Sequence, residues 1–246
     1  MLTMAPRQIT RSANHDYTYA GKTYPGTTNI LKIIDKSGPL MVWAANNTAE
    51  AAIELVAELP KMLAEIGPKG VKAALRERGT RKRDDASQLG TDVHDLADRM
   101  IKGEPLPEMS DAIRVRVEHV ARWWEASGWV ARASEAMLVN PEMQYGGTLD
   151  LLAYDREGRT TLLDYKTGAG VYKEVVLQLT AYSDATYIES DKGFFTMPKV
   201  DRCMVLHVTT EGAREIDIVT GNLERLAWSA CRDIYDWTEA MRGKKF

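Results

Sequence analysis

Residues 146–185 read GGTLDLLAYDREGRTTLLDYKTGAGVYKEVVLQLTAYSDA, and the fold is decided here. Two short apolar runs, 146–154 and 160–166, flank Asp155-Arg156-Glu157-Gly158, a turn sequence suited to an antiparallel hairpin. The spacing then changes. Val175, Val176, Leu179, Tyr182 and Tyr187 recur at helical intervals and predict a helix over about 174–189.

Working outward, residues 133–140 and 202–209 are further strand-like runs, and residues 221–241 carry helical periodicity. Upstream the pattern is mostly helical. A small β-like start at 15–36 precedes a helix over 40–59 expected to stop at Pro60. Further helices are expected at 61–78, from Ser87 to about Lys102, and over 108–127 with Gly128 as the stop. Helices first, then strand–strand–strand–helix–strand–helix, predict an α/β chain. Its central mixed sheet is flanked by helices and preceded by a mainly helical N-terminal part. The expected division is 1–84 for that N-terminal part and 85–246 for the core.

Asp150 and Asp164 each interrupt an apolar strand, and a buried carboxylate must be paired, hydrogen-bonded or bound to a cation. On strands joined by a tight hairpin the two can lie side by side, where like charges repel unless a cation separates them. Oxygen ligands favour Mg²⁺ or Mn²⁺. Lys166, two residues after Asp164, shares its face of the strand. Beside a metal it could orient a water, help to take its proton or neutralise developing charge, the set that phosphodiester hydrolysis requires. Two unrelated ion pairs at strand ends are the plainer reading of the same residues.

Composition excludes several classes. With 44% hydrophobic and 27% charged residues the chain is an ordinary globular protein, and no apolar run approaches a membrane span. The N-terminus lacks the apolar core of a secretion signal, so a cytoplasmic location is expected. Cys203 and Cys231 read as lone thiols, too few for an iron–sulfur cluster or a four-cysteine zinc site. No G-x-x-x-x-G-K-[ST] loop occurs. Net charge is −3, yet Lys69–Arg83 holds seven basic residues against Glu77 alone. That segment, with Arg76, Arg78, Arg81, Lys82 and Arg83, is either a solvated helix face or a patch that tracks DNA phosphates.

Gly147 to Asp150, Asp164 to Gly168 and Gln178 to Tyr182 follow the order G-x-x-D, D-Y-K-T-G, Q-x-x-x-Y. In this the chain resembles the RecB-like branch of the PD-(D/E)xK nuclease superfamily. Tyr24-Pro25-Gly26-Thr27-Thr28-Asn29-Ile30-Leu31 resembles the opening of phage-encoded members. The resemblance implies a restriction-endonuclease-like core and a catalytic set of Asp150, Asp164, Lys166, Gln178 and Tyr182. It also turns His94, by itself an unremarkable helix histidine, into a metal ligand beside Asp150, Asp164 and the backbone carbonyl of Tyr165. Glu135 stands where similar nucleases carry an acid facing the metal. Thr167 and Gly168 offer a hydroxyl and a backbone N–H to a phosphate. An imidazole ligand tolerates Mn²⁺ well, so Mn²⁺ is expected to serve at least as well as Mg²⁺.

The function these features imply is a metal-dependent DNA exonuclease in phage recombination, repair or DNA processing, in the host bacterial cytoplasm. It would stand alone or work with a separate recombination or single-strand-binding protein. A structure-specific or nicking endonuclease would use the same residues. A DNA-binding protein without activity would be expected to lack one of them.

Overall fold

A computed structural model describes residues 8–34 and 37–244, with the backbone alone at 37, 39, 82 and 83. The chain forms two compact units, Met1–Ile34 with Asp92–Phe246, and Asp35–Thr91.

The larger unit opens with a three-stranded antiparallel sheet, β1 (Ile9–Arg11), β2 (Asp16–Tyr19) and β3 (Lys22–Pro25), and a short helix, α1 (Thr27–Ile30). The smaller unit contains α2 (Ser37–Glu54) and most of α3 (Leu59–Ile101). Then come α4 (Asp111–Ser127), β4 (Val130–Asn140), β5 (Tyr145–Tyr154), β6 (Thr160–Lys166) and α5 (Glu174–Ser183). The chain continues through β7 (Tyr187–Ser190), β8 (Gly193–Thr196), β9 (Arg202–Val208), β10 (Ala213–Ile218) and α6 (Asn222–Met241). Strands β4 to β10 build one sheet in the order β10-β9-β6-β5-β4-β7-β8, parallel at β6–β9 and antiparallel at every other pair. This is the α/β class with a central mixed sheet that the sequence predicts. Among the described residues no helix is long and apolar enough to cross a membrane.

Each face of the sheet buries a separate core. On one face Leu138, Leu149, Leu152, Leu162 and Val205 pack under Leu179 of α5 and Trp228 of α6. On the other Leu151, Leu163, Tyr165, Met204 and Leu206 pack against Ala97 near the end of α3 and Val120 of α4. Trp123 and Trp124 are partly buried against this second core, and Cys203 is buried in the first, as their apolar contexts suggest.

Several boundaries differ from the sequence reading, each for a physical reason. Pro60 does not stop a helix; it lies in the first turn of α3, where its missing N–H costs nothing. Helix α3 also runs through Ser87 without a new start, and its one break is Gly67 (φ 65, ψ 174) before Pro68. Proline drives the preceding residue out of the helical region, and glycine accepts the left-handed φ that results. Helix α5 ends at Ser183 rather than near 189. Its cap Asp184 is held by Arg225 at 2.7 Å and through its carbonyl by Asn140 at 2.8 Å, and Tyr187-Ile188 joins the sheet as β7. Strands β8 and β10 have no sequence counterpart, because they are edge strands with few buried side chains.

Gly146 and Gly147 are required by two aromatic rings. A Cβ at Gly147 would lie 2.4 Å from Tyr182 Cε1, and one at Gly146 would lie 2.5 Å from Tyr17 Cβ. Thr27 Oγ1 also donates to the Gly146 carbonyl at 2.9 Å, docking the start of α1 onto β5. Gly147→Ala should therefore lower stability by about 1–3 kcal/mol, because the buried Tyr182 ring has nowhere to go. Gly170→Ala, which enters open space, should leave the melting temperature unchanged in the same thermal denaturation series.

Candidate active site

The site begins where β5 and β6 part. They pair only from Leu151↔Leu163 to Tyr154↔Thr160, whereas β4 and β5 stay paired as far as Asn140↔Tyr145. At the fork the Tyr165 N–H donates not to a strand carbonyl but to Asp150 Oδ2, at 2.7 Å. The side-chain alternation shifts at the same level. Leu149 and Leu152 share one core although strict alternation would separate them, and so do Ala133 and Ala136 across the ladder. Between those alanines Glu135 adopts a left-handed conformation (φ 44). Ser134↔Leu151 and Ala136↔Leu149 place it opposite Asp150. A left-handed non-glycine residue inside a strand costs on the order of 1–3 kcal/mol, so its surroundings must hold it.

Ligand atoms of His94, Glu135 and Asp150 lie within 4.8 Å of one another. His94 Nδ1 is 3.3 Å from Asp150 Oδ2, and its ring meets the edge of the Tyr165 ring at 5.7 Å between centroids. Asp164, 2% exposed, faces Lys166 Nζ through Oδ2 at 2.5 Å and accepts from Gln178 Nε2 through Oδ1 at 3.1 Å. Gln178 Nε2 is also 3.4 Å from the Tyr182 hydroxyl, so these two residues of α5 present one face to Asp164.

The charges are strongly coupled. Burial first, then the charge of Asp150, pushes the Glu135 carboxyl up to about 8. Burial opposes the His94 imidazolium, but Asp150 and Asp164 outweigh it and raise its pKa to about 9. Burial would raise Asp150 as well, yet His94, Lys166 and the Tyr165 N–H outweigh it and hold its pKa below the usual value. Asp164 is raised, chiefly by burial, despite the attraction of Lys166. Lys166 is raised because Asp164 and Asp150 more than offset its own burial. Three carboxylates around one lysine and one histidine form a site short of positive charge. One imidazole nitrogen with carboxylate oxygens is a donor set that suits a divalent cation such as Mn²⁺ or Mg²⁺, and the buried Asp164 carboxylate adds oxygen donors of the same kind.

The remaining candidates are dispersed. Thr167 and Gly168 follow Lys166 in a loop, where the Gly168 carbonyl accepts from His207 Nε2 at 2.8 Å. Arg76, Arg78 and Arg81 lie in the smaller unit, with Arg78 paired to Glu54 at 3.3 Å and Arg81 to Glu77. The side chains of Lys82 and Arg83 lie outside the described residues. Sequence reasoning missed the Tyr165 ring against His94, and the Ser134 hydroxyl donating to Asp98 one turn beyond His94. It also missed Tyr17, whose hydroxyl meets Thr148 at 2.9 Å. None of these stands in a run that separates it from ordinary core residues.

A family model of the PD-(D/E)XK nuclease superfamily matches residues 70–193, just over half of the chain. The chain belongs to that superfamily, and its class is therefore that of a nuclease. No curated protein matches it.

The two raised pKa values act on stability in one direction. His94, at about 9 against an ordinary 6.5, contributes stability that is complete below 6.5 and lost as pH rises through 9. Glu135, at about 8 against 4.5, brings a penalty that is absent below 4.5 and grows until pH 8. The metal-free melting temperature should thus fall between about pH 6 and about pH 9. A divalent cation held by the His94, Glu135 and Asp150 group would need neutral His94 and ionised Glu135, so added Mn²⁺ should raise the melting temperature more at the upper end of that range. Scanning fluorimetry with and without Mn²⁺ checks this, and an equal increment at both ends would contradict it.

Proposed function

We propose that this protein is a divalent-metal-dependent DNA exonuclease of the RecB-like kind, related to phage enzymes of recombination, repair or DNA processing. The observation that carries the reading is the meeting of Asp150, Asp164 and Lys166 at the β5–β6 fork, with His94 and Glu135 beside Asp150. The motif order G-x-x-D, D-Y-K-T-G, Q-x-x-x-Y supports the branch, and residues 24–31 support the phage resemblance. In this reading residues 1–84 contribute DNA contacts and residues 85–246 form the cutting core.

His94, Glu135, Asp150 and Asp164 would hold the cation, with the Tyr165 carbonyl as a further ligand. When bound, Mg²⁺ or Mn²⁺ supplies Lewis acidity at a phosphoryl oxygen and lowers the pKa of water. Lys166 sits against Asp164 and orients the attacking water or neutralises the charge that grows on the phosphate. Gln178 holds the Asp164 carboxylate in place, with the Tyr182 hydroxyl beside the same amide. Burial raises the Tyr182 hydroxyl well above its ordinary range, so it stays neutral and can donate to a phosphate oxygen. Thr167 and the Gly168 N–H extend that contact along the strand.

End-labelled linear DNA and covalently closed circular DNA, each with Mg²⁺ or Mn²⁺, test the reading. Linear DNA should be degraded from an end with either ion while circles persist. Nicking or linearisation of circles would make the enzyme an endonuclease. Lys166→Ala should reduce cleavage by roughly 10²–10⁴-fold; cleavage unchanged by that substitution would sink the assignment.

A further inference from the structure

We infer that the smaller unit carries a nucleobase-stacking notch that holds single-stranded DNA, made by Trp43 on α2 and Arg76 on α3. The inference rests on the DNA-nuclease reading and adds a binding site remote in sequence from the cutting residues. Trp43, Ala44, Thr48, Arg76, Gly79 and Thr80 line a cavity of about 240 Å³. All six belong to the smaller unit. Pockets that enclose whole drug-sized ligands run to roughly 300–1,000 Å³, so this one suits the insertion of a single base rather than enclosure of a free ligand.

The lining has the chemistry of a single-strand contact. Trp43 keeps 38% of its surface exposed, next to the still more exposed Leu40, Met41 and Val42 on the same helix. An exposed indole at a cavity mouth offers a π-face to any base, and such stacking tolerates sequence. Arg76 stands opposite on α3. Arg78 and Arg81 are engaged by Glu54 and Glu77, but no acid pairs with the Arg76 guanidinium among the described residues. Gly79 forms the floor, where its missing side chain leaves room beside Asn47 and Thr48. The hydroxyls of Thr48 and Thr80 donate to the carbonyls of Ala44 and Arg76, which leaves both oxygens as acceptors for base N–H groups. The stretch 69–83 of α3, to which Arg76 belongs, has seven basic residues and one acid in its sequence, a charge complementary to a phosphate backbone.

The test is binding of fluorescein-labelled oligo-dT to the full chain in EDTA, with an abasic strand and a duplex of equal length for comparison. Trp43→Ala should weaken oligo-dT binding roughly five- to a hundredfold, leave the abasic strand and the duplex unaffected, and keep its melting temperature. Trp43→Phe should retain most of the affinity. Arg76→Ala, an exposed change that tests the notch without touching Trp43, should lower the slope of log affinity against log salt by about 0.7. Equal losses on oligo-dT and the abasic strand, or oligo-dT affinity that neither Trp43→Ala nor Arg76→Ala moves, would overturn the notch. Metal-dependent cleavage, scored separately, distinguishes the two readings. A chain that cuts DNA but shows no Trp43 dependence loses only the notch, and one that stacks oligo-dT through Trp43 but cuts nothing loses only the nuclease assignment.

Discussion

The hydrogen bond from the Tyr165 N–H to Asp150 Oδ2 holds the centre of this protein together. In a continuous ladder that N–H would meet a carbonyl of β5, and the two strands would stay zipped. Because a side chain takes the place of the carbonyl, β5 can leave β6 without orphaning a buried donor. The gap that opens is where Asp164, Lys166 and His94 converge. Tyr165 serves the site twice, since its backbone fixes one carboxylate while its ring sits edge-on to the imidazole. Its hydroxyl, buried without a hydrogen-bond partner among the described residues, is the cost of placing that ring there.

Around this bond the electrostatics are out of balance, with three buried carboxylates against one lysine and one histidine. Glu135 is bent into a left-handed conformation inside a strand and faces Asp150, an arrangement that a stable sheet would avoid. Both the backbone strain and the raised carboxyl pKa oppose folding. A residue kept under two such penalties marks a candidate functional site, and with His94 and Asp150 it forms a group that could hold a metal ion. The superfamily match fits a divalent cation at such a group.

Much of the core was legible in the sequence. The turn at 155–158 and the alternation of apolar residues around Asp150 and Asp164 place both acids on neighbouring strands, and the structure joins them as a hairpin. Gln178 and Tyr182, four apart, share a helical face, and both reach the Asp164 side of the fork. The fork itself was not legible, because it depends on which donor Asp150 accepts, and that is a tertiary choice. Glu135 could be named only by resemblance, since nothing in its run betrays a left-handed φ at a non-glycine residue. The edge strands β8 and β10 were invisible for the opposite reason. With one side open to solvent they need few apolar residues, and pairs such as Arg202 with Glu215 and Asp217 replace them.

The tightness of the 155–159 turn has a consequence for how the protein assembles. Asp155 caps it, accepting from the N–H groups of Glu157 and Arg159 at 3.0 and 2.9 Å, so β5 and β6 are joined by a turn that largely shapes itself. The entropy of closing a loop grows with its length, and here the loop is only a few residues long. Strand β9, by contrast, reaches its place beside β6 only after α5, β7 and β8 have been threaded between them. Local pairings form fast and long-range parallel ones slowly. A hairpin this local can form ahead of the β6–β9 pairing, and because Lys166 lies on β6 beside Asp164, the charge that offsets that acid travels with it.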